Sequence, residues 1–226
     1  MKKNKKLVII GAGEFADIAY EYFTYDSDYE VAAFAVEKEY LNNTKHLGLP
    51  LIAFDNIEEM YSCKEYEVFV AITYVKLNRA RRRLFLMAKE KGYRCASYVS
   101  TRAFIWHNVE IGENVFIFED NTIQYYVKIG NNVILWSGNH IGHRSIIEDD
   151  CWLTSHNVIS GFCRIGQGSF IGVNATLGDN VTLGPDTVFG AAAVAVKSLP
   201  DKGCVYVGNP AKKLTRTAYE QFGVEE

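Results

Sequence analysis

The sequence predicts an α/β lobe with a small parallel sheet over residues 1–98, followed by a coiled parallel β-solenoid over residues 99–226. Two patterns carry this expectation. From Ile105 to Phe189 every sixth residue is bulky and apolar, in one unbroken register: Ile105, Ile111, Ile117, Ile123, Ile129, Leu135, Ile141, Ile147, Leu153, Ile159, Ile165, Ile171, Leu177, Leu183 and Phe189. Four places after each stands a smaller residue such as Val109, Asn121, Asn139, Ser145, Cys163 or Ala175, and Val99 with Ala103 extends the series upstream. A helix repeats near 3.6 residues and a flat strand near 2, so a period of six fits neither. The second pattern is an alternation of short apolar runs with amphipathic stretches before residue 99, which reads as βαβ.

Within the lobe, residues 7–10 read as a buried strand running into Gly11-Ala-Gly13 and a helix to about Phe23. A strand at 31–35, a short helix at 57–61, a strand at 68–72, a helix at 77–91 and a last strand at 94–98 follow. In the solenoid each hexad supplies one strand and one corner, and three hexads close a coil. The large residue fills the interior while glycines in the second place (Gly112, Gly130, Gly142, Gly166, Gly172, Gly178, Gly184, Gly190) are expected to ease the corners. No hexad buries its apolar face alone, so stability comes from stacking. Both ends need a cover, for which the chain offers the lobe and the tail at 205–213.

Composition narrows the function classes. Lys and Arg number 24 against 27 Asp and Glu, a net charge of −3, so no basic field argues for nucleic acid. The basic start, Lys2 to Lys6, reads as a solvated terminus. The apolar run at 7–10 is too short for a signal peptide core or a membrane span. The five cysteines form no CxxC pair, which indicates neither zinc nor a disulfide framework and fits a reduced, cytoplasmic location.

Gly11-x-Gly13-x-x-Ala16, after a strand and opening a helix, is the Rossmann-like context for a phosphate group, with Glu14 at the helix start. A tight turn packing helix on strand is the alternative. About a hundred residues before the hexads favour a mononucleotide-type diphosphate over a dinucleotide. Asn78 and Arg79 open the helix after the third main strand, where a sheet crevice presents donors to phosphate.

A nucleotide-type lobe joined to hexads resembles the bacterial sugar acyltransferases of the sialic acid O-acetyltransferase type. These include N-acetyltransferases of nucleotide-linked amino sugars such as the bacillosamine and perosamine enzymes. The resemblance rests on GAG at 11–13, LWSGNHIGH at 135–143, SHNVISG at 155–161, FIGVN at 170–174 and VGNPAKK at 207–213. It implies a left-handed parallel β-helix, a homotrimer, acetyl-CoA as co-substrate, a nucleotide-linked amino sugar as acceptor, and a place in surface-polysaccharide synthesis. It implies His143 as the catalytic base, and an imidazole suits that role because it titrates near neutral pH. It maps acetyl-CoA contacts onto Trp152, Gly161, Val173 and Ala191, with Lys212 near a CoA phosphate. It places Glu37, at the end of the second strand, toward a base or ribose. His140 and His156 either line the sugar pocket or pantetheine groove or lie solvated on the outer face. His107 has no motif support. One departure stands out: several relatives carry an acid directly after the base, where this chain has Arg144, leaving Glu148 or Asp149 to orient the imidazole. His140-x-x-His143 with a distant His156 does not match the ligand spacing of solenoid carbonic anhydrases, so no metal is expected.

The expected activity is acetyl transfer from acetyl-CoA directly to the sugar amine, without an acyl-enzyme, since no Ser or Cys pairs with a base. O-acetylation of a sugar hydroxyl and a non-catalytic nucleotide-sugar-binding solenoid are the rival readings.

Overall fold

The computed structural model describes residues 2–225. The chain divides into two compact units: residues up to Thr73 with Arg81–Tyr98, and Tyr74–Ala80 with everything from Val99 onward.

The first unit is built on β1 (Lys5–Ile10), α1 (Glu14–Tyr25), β2 (Tyr29–Val36), β3 (Lys45–His46), β4 (Leu49–Ala53), α2 (Ile57–Met60), β5 (Tyr66–Val70) and all but the first two residues of α3 (Arg79–Glu90). The sheet runs β3-β4-β2-β1-β5. β1 lies between β2 and β5 and pairs in parallel with both, β2 pairs in parallel with β4, and only β3 runs antiparallel. Leu7, Val8, Ile9 and Ile10 are buried on both faces, as a central parallel strand requires. Two details differ from expectation. The β3–β4 hairpin arises at Leu47-Gly48, both with positive φ, where the weak apolar pattern gave no strand signal. The strand expected at 94–98 is reduced to one bridge, Cys95 to Val68, before Tyr98–Val99. The basic terminus is anchored too: Lys3 Nζ donates to Phe23 O (3.0 Å) and Ser27 O (2.9 Å), capping the exposed carbonyls at the end of α1.

The second unit is a left-handed parallel β-helix of two-residue strands. Thr122 pairs with His140 and His140 with Val158, so each coil advances the register by 18 residues. Three sheets form three faces. The first contains Thr122–Ile123, His140–Ile141, Val158–Ile159 and Thr176–Leu177, the second Lys128–Ile129, Ile146–Ile147 and Arg164–Ile165, and the third Ile134–Leu135, Trp152–Leu153 and Phe170–Ile171. The hexad residues from Ile117 to Phe189 point inward as one core, with Val115, Val127, Cys151, Cys163, Ala175 and Ala193 filling the corners.

The hexad glycines do a different job from the one expected. The left-handed residue of each corner is the next but one: Tyr126, Arg144, Phe162 and Asn180 along the edge from first to second face, and Asn114, Asn132 and Asp150 along the edge from second to third. Gly142 has no positive φ, but a Cβ there would lie 2.5 Å from the carbonyl carbon of Ser160 in the next coil. Close stacking of coils, not turning, excludes a side chain. The tail closes the far end. Cys204–Val207 adds a parallel strand beside Val188–Phe189, Ala211 N–H donates to Val194 O, and α4 (Ala218–Phe222) begins at a Thr217–Glu220 capping box.

Candidate active site

His143 lies on the edge between the first and second faces. Ile141 is locked inside the coil, so the following corner turns His143 outward, half-buried. Three coils meet around its ring. Tyr125, one coil earlier, stacks on it with centroids 5.3 Å apart and planes 17° apart. Phe162 meets it edge-on at 5.1 Å. Gly161, one coil later, leaves the room the ring occupies: a Cβ there would lie 2.6 Å from His143 Cε1.

Gln124 contacts both the backbone and the ring of His143. Its Oε1 accepts from His143 N–H at 2.9 Å and lies 3.2 Å from Nδ1. Glu148 and Asp149 are engaged elsewhere. Glu148 ion-pairs with Arg164 and accepts from Gln167 N–H at 2.8 Å, while Asp149 accepts from Asn131 N–H at 2.7 Å. Arg144 takes the left-handed corner position (φ 58°), and its guanidinium lies 4.7 Å from the Tyr126 ring centroid. Its side chain is therefore held on Tyr126. The signal for Gln124 was present in the sequence: it occupies the hexad place that is glycine in Gly130, Gly142 and Gly178, and such a side chain reaches the corner amide one coil on.

The remaining histidines are dispersed. His140 projects outward from the first face, half-buried, in the same coil as His143. His156 is exposed on the edge between the third and first faces, with its ring against Gly138. His107 is exposed beside Trp106. Among the described residues no group of three or more His, Cys, Asp or Glu has metal-binding geometry.

The residues mapped to acetyl-CoA separate likewise. Gly161 adjoins His143, but its N–H donates to Asp179 Oδ1 at 2.9 Å, so this amide is committed. Val173 and Ala191 are exposed and stack in successive coils on the His156 edge, and Lys212 is exposed in the tail. Trp152 is buried on the third face beneath Tyr74, with centroids 5.3 Å apart; its indole serves packing.

In the first unit Gly11 (φ 129°) sits where a Cβ would come within 2.7 Å of Ala71 O, so its absence of side chain lets the β1–α1 turn cross the end of β5. Gly13 is the exposed N-cap of α1, and Glu14 and Asp17 follow in the first turn, with Asp17 bonded to His46. Glu37 receives both Nη groups of Arg83, at 2.7 and 2.8 Å. Asn78 and Arg79 have structural employment in the second unit. Asn78 Nδ2 donates to Gly168 O at 3.0 Å while its residue is 1% exposed, and Arg79 pairs with Asp186 at 3.4 Å over the Tyr219 ring.

The hydroxyl and thiol nearest this edge are unsuited to covalent catalysis. Buried Ser145 donates to Ser160 O, and burial pushes the Cys163 thiol above its ordinary value while it donates to Gly178 O. A depression of about 640 Å³ lies over the second face, where charges are paired as Glu110–Lys128 and Glu148–Arg164. The His143 edge presents an imidazole contacted by Gln124 and Tyr125, a group whose chemistry suits proton transfer.

Hexapeptide coils joined to an N-terminal α/β lobe are an architecture shared with solved sugar N-acetyltransferases. Residues 6–87 match the PglD N-terminal domain family. A histidine mutant of perosamine N-acetyltransferase from Caulobacter crescentus, solved with CoA and GDP-perosamine, is 27% identical. The alignment covers 93% of this chain and 97% of that one, with a TM-score of 0.82. The acetyltransferase domain of PglB from Neisseria gonorrhoeae is 26% identical over 93% of this chain and 100% of that one, with a TM-score of 0.83. WeeI from Acinetobacter baumannii, at 23% identity and a TM-score of 0.78 over 93% and 100% of the two chains, shares the fold. No curated protein matches the chain. These similarities bear out the resemblance to sugar N-acetyltransferases read from the sequence.

Proposed function

We propose that this protein is an acetyl-CoA-dependent N-acetyltransferase that acetylates the amino group of a nucleotide-linked amino deoxy sugar. The observation that carries this reading is the His143 ring, contacted by Tyr125 and Gln124 on an outward corner. The amine attacks the acetyl thioester carbonyl as Nε2 removes its proton. The tetrahedral intermediate collapses to the amide, and the CoA sulfur leaves with a proton returned from the imidazolium. Direct transfer agrees with the engaged state of Ser145 and Cys163. Arg144, the one residue favouring a non-catalytic solenoid, stands over the Tyr126 ring.

The similarity to proteins crystallised with CoA and GDP-perosamine supports the two substrate classes. Gly11, Gly13 and Glu37 belong to the nucleotide part of this proposal, and His140, His156, Gly161, Val173, Ala191 and Lys212 to the sugar and CoA part. A homotrimer is part of it too. Trp106, Tyr125, Tyr126 and Phe162, each more than 40% exposed, form an apolar edge beside His143 of the kind that packs against a sister copy. We place the enzyme in the cytoplasm, in surface-polysaccharide synthesis. No helix among the described residues is long and apolar enough to cross a membrane.

The test is release of free CoA thiol from acetyl-CoA with uridine-, thymidine- and guanosine-diphosphate amino sugars. At least one is expected to turn over, and His143→Ala should lower that rate about 10²- to 10⁴-fold with the fold intact. A His143→Ala protein as active as the parent would sink the mechanism.

A further inference from the structure

We propose that Gln124 is a positioning residue that sets the tautomer of His143 and, being neutral, keeps the imidazole from gaining a counter-charge. This deepens the proposed function and rests on it.

Two donors converge on one oxygen. The His143 N–H lies 2.9 Å from Gln124 Oε1, and a backbone amide can only donate, so the oxygen of the Gln124 amide, not its NH₂, must face the histidine. The same oxygen stands 3.2 Å from Nδ1. A deprotonated Nδ1 would set lone pair against lone pair, so in the neutral ring Nδ1 carries the hydrogen and Nε2 carries the free pair. Tyr125 stacks on the ring and Gly161 lies close against it, which opposes rotation.

The solenoid contains its own control. On the next edge Glu148 caps Gln167 N–H at 2.8 Å across the same 19-residue step by which Gln124 caps His143. Capping a corner amide is therefore a general use of this hexad place, and a carboxylate fits there. What is particular to Gln124 is the second acceptance, from an imidazole, by a side chain that bears no charge. A carboxylate in that place would favour the imidazolium. The charged and titratable groups around the ring include Tyr125 stacked on it, Asp179 one coil beyond Gly161 and bound to the Gly161 N–H, and Arg144 on Tyr126.

The test uses the full-length protein with ¹⁵N-labelled histidines, the His143 signals being assigned by their loss in His143→Gln. Nitrogen chemical shifts read the tautomer and its titration without substrate, and steady-state kinetics with the acceptor found above read the consequence. Wild type should show protonated Nδ1 and a bare Nε2. Gln124→Leu should shift the neutral ring toward the other tautomer. It should also lower kcat about 10- to 100-fold, with KM for acetyl-CoA within about two-fold and an unchanged thermal melt. Gln124→Glu should keep the wild-type tautomer and, by setting a carboxylate beside the ring, favour the imidazolium. A base must be neutral to act, so a raised pKa carries the acid limb of kcat/KM to higher pH, with rate recovered above it. A purely structural role would lower activity equally at every pH in both variants. The proposal is overturned by a wild-type Nε2–H tautomer, by a Leu variant with unaltered tautomer and kcat, or by a Glu variant whose acid limb stays in place. If no amino sugar is turned over, the function fails while the NMR still decides the tautomer. A wrong tautomer in an active enzyme defeats this inference alone.

Discussion

The second and third faces of the solenoid both turn large apolar residues inward and differ in what they show outside. On the third face the outward positions are Phe116, Ile134, Trp152, Phe170 and Val188, and all but the partly buried Phe170 are at most 3% exposed. Tyr74 and Phe222 lie against Phe170, and Leu77, Ala218 and Tyr219 continue the cover over Val188 and Val205. On the second face the equivalent positions are Glu110, Lys128, Ile146, Arg164 and Thr182, with Glu110 and Lys128 joined at 3.0 Å in the open. The inside of a solenoid is dictated by stacking and is nearly the same in every coil. The outside is free to vary, so its chemistry records the use of each face: own chain on the third, solvent on the second, and a histidine edge beside the first.

Substitutions can break this comparison. Trp152→Ala removes the largest side chain under the third-face cover and should cost about 3–5 kcal/mol, read as a lowered urea midpoint; a loss under 1 kcal/mol would mean the cover is loose. Gly161→Ala should act on chemistry alone. Its backbone tolerates alanine, but the methyl would collide with the His143 ring. The expected result is a kcat about 100-fold lower with an unchanged melting temperature; full activity would show that the ring moves freely. Lys128→Ala should do least. Lys128 and Glu110 are 56% and 68% exposed, and such a pair contributes about 0–1 kcal/mol, less at high salt. A larger cost would mean that the second face is covered in the assembled protein.

Much of the fold was legible because its constraint repeats. A period of six sustained from Ile105 to Phe189 has one structural solution, and it located the inward residues and the corner holding His143. The first unit was legible as alternation, but not the β3–β4 hairpin, whose strands are short and edge-like, nor the shrinkage of the last strand to a single bridge at Cys95. Asn78 and Arg79 carried the residue types of a phosphate site at the right place in a βαβ unit. Their donors nonetheless reach Gly168 and Asp186, a choice made by residues 90 and 107 positions away.

The sequence by itself determined the architecture, the placement of the histidine on an outward corner, and the acyltransferase resemblance, because periodicity and local turn chemistry are properties of neighbours along the chain. Only the tertiary structure decided that Gln124 meets His143, that Arg144 turns to Tyr126, and that Gly161 makes room for the imidazole. Those contacts form between coils, where residues about eighteen apart become adjacent, and hydrogen-bond geometry there depends on directions that spacing alone does not specify.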